Sequence, residues 1–258
     1  MKHFYLPLLA MIMLMACGGD ANMKPQDGFA TYVWADSSVY TGDWKSGQRV
    51  GTGTMTWADG NSYEGEWADD KPNGEGTYKW ADGNKFEGTF RDSVPCGEGR
   101  YTWTNGAYYV GTYKDGHPNG KGKYLAPDGS LKEGTFTDGW LEGKGVAINE
   151  FAEKYTGDFH RGKPHGEGTM EYPNGDRYVG QWANGKSEGK GTYYYSSGSV
   201  YNGSFHRGSA EGYGTYTWEN GNKYEGNWRH DMRNGFGKLT TIDGEVYEGE
   251  WYNDEFVE

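Results

Sequence analysis

The chain has 258 residues and a composition skewed to rings and glycine, with 22 Tyr, 11 Trp, 10 Phe and 45 Gly but only 34% hydrophobic residues overall. That leaves too few aliphatic side chains for a deep globular interior. Its net charge of −12 opposes DNA, RNA and anionic lipid headgroups, so no nucleic-acid partner is expected.

The first segment differs from everything after it. Lys2 precedes an almost wholly apolar run from Phe4 to Ala16, and Leu14-Met15-Ala16-Cys17 puts a small residue before a cysteine, followed by Gly18-Gly19. The run is too short for a comfortable membrane-spanning helix. It resembles a bacterial lipoprotein signal, which implies cleavage before Cys17 and acylation of its thiol. On that reading residues 1–16 are a signal peptide, residues 17–27 a short linker, and the protein is held at a membrane of the cell envelope by lipid on Cys17. The outer membrane or cell surface is expected rather than the cytoplasm. Cys96, in the stretch Ser93-Val94-Pro95-Cys96 expected to be a loop, then has no internal disulfide partner.

From residue 28 to 258 the chain repeats every 23 residues: half a repeat, nine full repeats and half a repeat. Each unit reads aromatic-x-Gly-x-aromatic, as in Tyr63-Glu-Gly-Glu-Trp67, then a loop, then Gly-x-Gly, as in Gly74-Glu-Gly76. Such a period means stacked small units rather than one globular core. Because side chains alternate along a strand, Tyr63, Gly65 and Trp67 share one face while Glu64 and Glu66 share the other. The second arm repeats the scheme, with Gly76, Tyr78 and Trp80 alternating with Thr77 and Lys79. Each unit is therefore predicted to be a β-hairpin, and Asp-Gly or Asn-Gly pairs such as Asp59-Gly60 and Asn105-Gly106 mark the turns from unit to unit. The fold class is all-β, an open elongated solenoid of stacked antiparallel β-hairpins.

Glycine at fixed strand positions needs a reason, and a steric one is at hand: without a Cβ, the rings of adjacent strands can lie over bare backbone. The rhythm falters once. Between Leu131 and Lys154, Lys132 replaces the leading aromatic, Phe151-Ala152 replaces the turn and Asn149 stands where Trp57 and Trp80 stand elsewhere, which marks a drifted unit, a bend or a docking point. At the ends, Gly28 to Val39 aligns with a second arm, and the chain stops after a first arm, Tyr247 to Trp251. Both leave open strand edges, so end-to-end pairing of two copies stays open.

The motif Tyr-x-Gly-x-Trp, loop, Gly-x-Gly in a 23-residue period is similar to the MORN (membrane occupation and recognition nexus) repeat family. The resemblance implies an open hairpin solenoid with an aromatic-lined groove, used as a scaffold in protein assembly, with end-to-end dimerisation and phospholipid contact among the family's uses. Tyr40, Trp44, Trp57, Tyr63, Trp67, Trp80, Trp103, Tyr178, Trp182, Trp218, Tyr224 and Trp228 are the candidate groove rings. No catalytic group, cofactor or metal is expected. The Gly-x-Gly pairs recur inside hairpins rather than between strand and helix, the acids recur with the array, and His160 with His165 lacks a third ligand. The expected function is a non-enzymatic, membrane-anchored scaffold for an unidentified protein partner at the cell envelope. The alternative is a binding module for carbohydrate or a small amine on exposed rings.

Overall fold

A computed structural model describes residues 23–257; Cys17 and the apolar leader lie outside them. The described chain forms a single antiparallel meander, β1 (Gly28–Val33), β2 (Val39–Lys45), β3 (Gln48–Thr56), β4 (Ser62–Ala68), β5 (Lys71–Lys79) and so on to β20 (Val246–Tyr252) and β21 (Glu255–Val257). Each strand pairs with the next in sequence, and β1 and β21 are the outer strands. At about 4.8 Å per strand the sheet is a strip on the order of 100 Å long.

Register explains the glycines. Gly42 of β2 faces Gly53 of β3, which faces Gly65 of β4, which faces Gly76 of β5, and the pairing continues strand by strand to Gly249 in β20. Over this bare ladder lie the leading rings: a Cβ on Gly53, Gly76, Gly168 or Gly191 would run into the ring of Tyr40, Tyr63, Tyr155 or Tyr178 respectively. These tyrosines are fully buried. Their hydroxyls donate to the backbone carbonyl three residues on, for example Tyr63 to Glu66 at 2.9 Å and Tyr178 to Gln181 at 3.0 Å.

The first glycine of each Gly-x-Gly has a different task. Every full hairpin, from β2–β3 to the pairing of Lys223–Arg229 with Met232–Thr240, carries a bulge at the ladder: Gly65 opposes Gly76 but Trp67 opposes Pro72, so the second arm spends two extra residues there. Gly74 sits in that bulge at φ +105°, and Gly51, Gly97 and Gly143 hold the same place with φ between +59° and +65°. The turns also divide their roles differently from the expectation. The tight two-residue turns with positive φ at both positions lie inside the unit, at Asp69-Asp70 (φ +50° and +66°) or Asp115-Gly116 (φ +50° and +79°). In the unit-to-unit turns only the glycine has positive φ, as at Gly60 (+89°), while Asp59 accepts the Asn61 amide at 2.9 Å.

Ala152 takes that glycine's place at φ +60°, a conformation that costs an L-residue roughly 1–2 kcal/mol. Ala152→Gly is accordingly expected to raise unfolding free energy by about 1 kcal/mol in urea titration; a loss of stability would contradict the turn assignment.

In the irregular unit, β10 (Leu131–Thr137) and β11 (Trp140–Ile148) keep the common register, Gly134 facing Gly145. Lys132 is exposed, and Leu141, at the position Pro72 or Pro118 holds in other units, is only 1% exposed and covers both glycines in place of the ring. At the C-terminal end the first arm does have a partner. β21 pairs with β20 across Trp251 and Phe256, and Phe256 covers Gly249 while its ring lies 5.2 Å from that of Trp251. Cys96 stands within β7 (Val94–Thr102), opposite Thr89, rather than in a loop, and it is half-buried and free.

Candidate functional site: two rows of rings on one face

The ring-bearing face has two rows. The first-arm row is sealed. Tyr40 stacks edge-on against Trp44 of its own unit and Trp67 of the next, Tyr63 against Trp67 and Phe90, and this zigzag runs with centroids 4.9–5.3 Å apart and planes at 77–90°. It stops at Phe136 and resumes with the Tyr155–Phe159 pair, the break falling where Lys132 stands in place of the leading ring. Tryptophans in this row donate their indole N–H to the backbone carbonyl fourteen residues earlier, as Trp67 does to Gly53 at 3.0 Å and Trp182 to Gly168 at 3.2 Å. Of the twelve candidate rings, Tyr40, Trp44, Tyr63, Trp67, Tyr178, Trp182, Tyr224 and Trp228 belong here, none more than 7% exposed.

Tyr113 occupies a tryptophan position with its hydroxyl buried and without a hydrogen-bond partner. Phe90 and Phe136 fill the same position in flanking units. Tyr113→Phe is thus expected to be neutral or stabilising by up to about 1 kcal/mol in thermal or urea unfolding; a marked loss would reveal a partner for that hydroxyl.

Trp57, Trp80, Trp103 and Trp218 lie in the second row, contributed by the second arms, and are half-buried. Between them stand tyrosines two residues earlier in each arm, so that Trp57, Tyr78, Trp80, Tyr101, Trp103 and Tyr124 form one unbroken file with centroids 4.6–5.6 Å apart. A shorter file runs through Tyr172, Tyr193, Tyr195, Tyr216 and Trp218. The gap between them falls where Ala126, Ala147 and Asn149 replace rings, so both rows thin in the irregular unit. Tyr78, Tyr101 and Tyr216 were readable as the position two before a tryptophan.

Acids line the file. Burial and then the turn carboxylate Asp59 push the Tyr78 hydroxyl up from its ordinary value, as burial and Asp82 do for Tyr101. Tyr193 donates to Asp176 at 2.9 Å.

Each end of the strip carries the same clamp. Arg49 sits 4.4 Å above the Trp67 ring, pairs through Nε with Asp70 at 3.0 Å and donates through Nη2 to the Asp70 carbonyl at 2.6 Å. Arg233 repeats this on Trp251 (4.2 Å) and Asp254 (3.1 and 2.6 Å), closing one side of a cleft of about 320 Å³ with Tyr216, Trp218 and Trp228. Other units have Pro, Leu, Ser or Ala at this position. The arginines tie the first and last full hairpins to the next turn, where stacking neighbours run out. Arg233→Ala should raise amide exchange in β20 and β21 with little change near Tyr109; unchanged exchange at the end would remove the clamp.

Elsewhere, the His160 and His165 centroids are 5.7 Å apart and His160 Nδ1 lies 3.4 Å from Glu142. Among the described residues no group of three His, Cys, Asp or Glu is placed to hold a metal ion.

The family model described as "MORN repeat" matches residues 40–62, 63–85, 86–108, 109–131, 133–148, 155–177, 178–200, 201–223, 224–246 and 247–257. No curated protein matches. Among solved structures, the TCP domain of SAS-4 from Drosophila melanogaster, in complex with a proline-rich motif of Ana2, is similar at 17% identity over 60% of this chain and 85% of that one, with a TM-score of 0.38. The TCP10 domain of Danio rerio CPAP, in complex with a STIL peptide, is similar at 13% identity over 89% and 98%, with a TM-score of 0.27. Likenesses this weak bear on neither fold nor ligand.

Proposed function

The chain belongs to the MORN-repeat family, and from that membership we propose that it is a non-enzymatic scaffold that docks a segment of a partner protein along the half-buried file of rings from Trp57 to Tyr124. The observation that carries this reading is the file itself. Its rings are held at repeating positions by a sealed row beneath, they reach the surface only in part, and acids flank them. A flat, open ring platform, as a carbohydrate or amine module would use, is less well supported, since eight of the twelve candidate rings are sealed.

Attachment belongs to the same proposal: lipid on Cys17 holds the scaffold at the bacterial cell envelope, and the chain meets the strip at Gln26 and Asp27, whose carbonyl and carboxylate accept from the Gly47 and Ser46 amides at 2.8 and 3.0 Å. The outer strands β1 and β21, with Phe29, Val33 and Val257 exposed, are where two copies would meet end to end.

A photo-crosslinking residue placed at Tyr78, in cells, tests the docking face. Protein adducts from this site and none from Val110 on the opposite face support the reading; equal yield from both faces would overturn it. For the anchor, a mass spectrum of membrane-extracted protein beginning at an acylated Cys17 is expected, and an unmodified cysteine there removes it.

A further inference from the structure

Resting on the reading that a protein segment docks on the Trp57–Tyr124 file, we propose that this segment is a proline-rich chain in the polyproline II conformation, with proline at every third residue and lysine or arginine between. Three observations converge on it.

The first is spacing. One unit of two strands advances the file by about 9.6 Å. Polyproline II advances about 9.3 Å per three residues, so a proline at each turn meets an equivalent Trp–Tyr step in each of three units and slips by under about 1 Å over the file. Two turns of an α-helix cover about 10.8 Å and slip faster. A β-strand covers about 9.9 Å in three residues but points residues i and i+3 to opposite faces.

The second is hydrogen bonding. The backbone groups beneath the file are spent in the ladder, as Tyr78 paired with both Tyr63 and Phe86 illustrates. A docked chain therefore cannot add as a strand there. What the file offers instead is indole N–H groups. Trp44, Trp67, Trp182, Trp228 and Trp251 each donate to a backbone carbonyl, and these are the indole hydrogen bonds among the described residues; Trp57, Trp80 and Trp103 are half-buried and make none of them. Polyproline II leaves every carbonyl free to accept, and its backbone is ordered before binding, so little entropy is lost.

The third is charge. Asp59 and Asp82 stand beside Tyr78 and Tyr101, and the chain carries −12 overall. Basic residues between the prolines complement them.

The test titrates the intact protein in detergent with a synthetic peptide of four Pro-Pro-Lys triplets, following tryptophan fluorescence and calorimetric heat. A peptide of the same composition with prolines out of period, an Ala-Ala-Lys peptide and a β-1,4-linked oligosaccharide run in parallel. Saturable binding of the periodic peptide is expected. It should weaken at least about tenfold in Trp80→Ala, the scale of a lost aromatic anchor, and less in Trp80→Phe, which keeps a ring but loses the N–H. Asp82→Asn preserves the turn acceptor and should weaken binding and flatten its salt dependence, which keeps the test valid if Trp80→Ala misfolds. Equal affinity for the scrambled peptide, or no peptide binding while Tyr78 still crosslinks to protein, overturns the proline assignment and leaves the docking face standing. Binding of the oligosaccharide alone overturns both.

Discussion

Gly122→Val is expected to abolish cooperative folding or cost more than about 3 kcal/mol in urea unfolding, while Gly143→Ala, at the other glycine of an equivalent motif, costs only about 1–2 kcal/mol. At Gly122 a Cβ would enter the Tyr109 ring, contacting its Cζ and hydroxyl. That ring cannot swing aside, because Tyr113 and Phe136 hold it edge-on at 5.3 and 5.0 Å. Nor can the backbone retreat, since Gly122 pairs with Gly111 on one side and Gly134 on the other. In a stacked array each unit is held mainly by its neighbours, so a break in the middle uncouples two halves rather than denting one core. Gly143 has open space around the position of a Cβ and is constrained only by its φ of +65°. Equal effects at the two sites would mean that rings over glycine are not what holds the strip.

Alkaline unfolding is the second large effect. Burial, joined by Asp43 for Tyr40 and Glu98 for Tyr109, pushes both hydroxyls up to about 12, and burial raises Tyr224 to about 12 against the partial relief of Arg233. Burial likewise raises Tyr63, Tyr155, Tyr178 and Tyr201. The unfolded phenol titrates near about 10, so below that pH neither state gains from ionisation and the stabilisation is fully present. Above it the unfolded chain releases protons that the folded chain retains, and stability falls as pH climbs through the folded values. Phenolate absorbance and loss of β-sheet signal should therefore rise together between about pH 10 and 12, as one cooperative transition. Tyr109→Phe should shift that transition upward at small cost near neutrality, because its hydroxyl bond to Thr112 is long at 3.5 Å and Phe86 already serves in the same role one unit earlier. Phenols that ionise near pH 10 with the sheet intact would refute the sealed row.

Much of this architecture was legible in the chain. The 23-residue period and the alternation in Tyr63-Glu-Gly-Glu-Trp67 fixed hairpins with one ring-bearing face, and the ring-over-glycine idea followed from Gly65 and Gly76 on that face. What alternation could not tell was depth. Both arms carry rings on the same face, and only the bulge beside Gly74, which aligns Trp67 with Pro72, puts Tyr63 and Trp67 beneath and leaves Tyr78 and Trp80 half exposed. The same bulge divides the two glycines of Gly-x-Gly between a positive φ and a ring contact, a difference invisible in a motif where both letters are the same. Lys132 was visibly out of pattern. Its repair by Leu141, nine residues on, depends on a contact across β10 and β11 that no local spacing announces. Three residues, Glu255 to Val257, were too few to signal a strand, yet Phe256 closes the end of the ladder.

The most direct measurement is the chemical shift of the glycine α-protons. Rings lying on bare backbone shield those protons, so Gly53, Gly76, Gly122, Gly168 and Gly191 should each show α-proton resonances displaced far upfield, with cross-relaxation to the ring of Tyr40, Tyr63, Tyr109, Tyr155 and Tyr178 in turn. Gly145, covered by Leu141 instead of a ring, should stay near the ordinary range and serves as the control within the same molecule. Ordinary shifts at the five ring-covered glycines, indistinguishable from that of Gly145, would contradict the account.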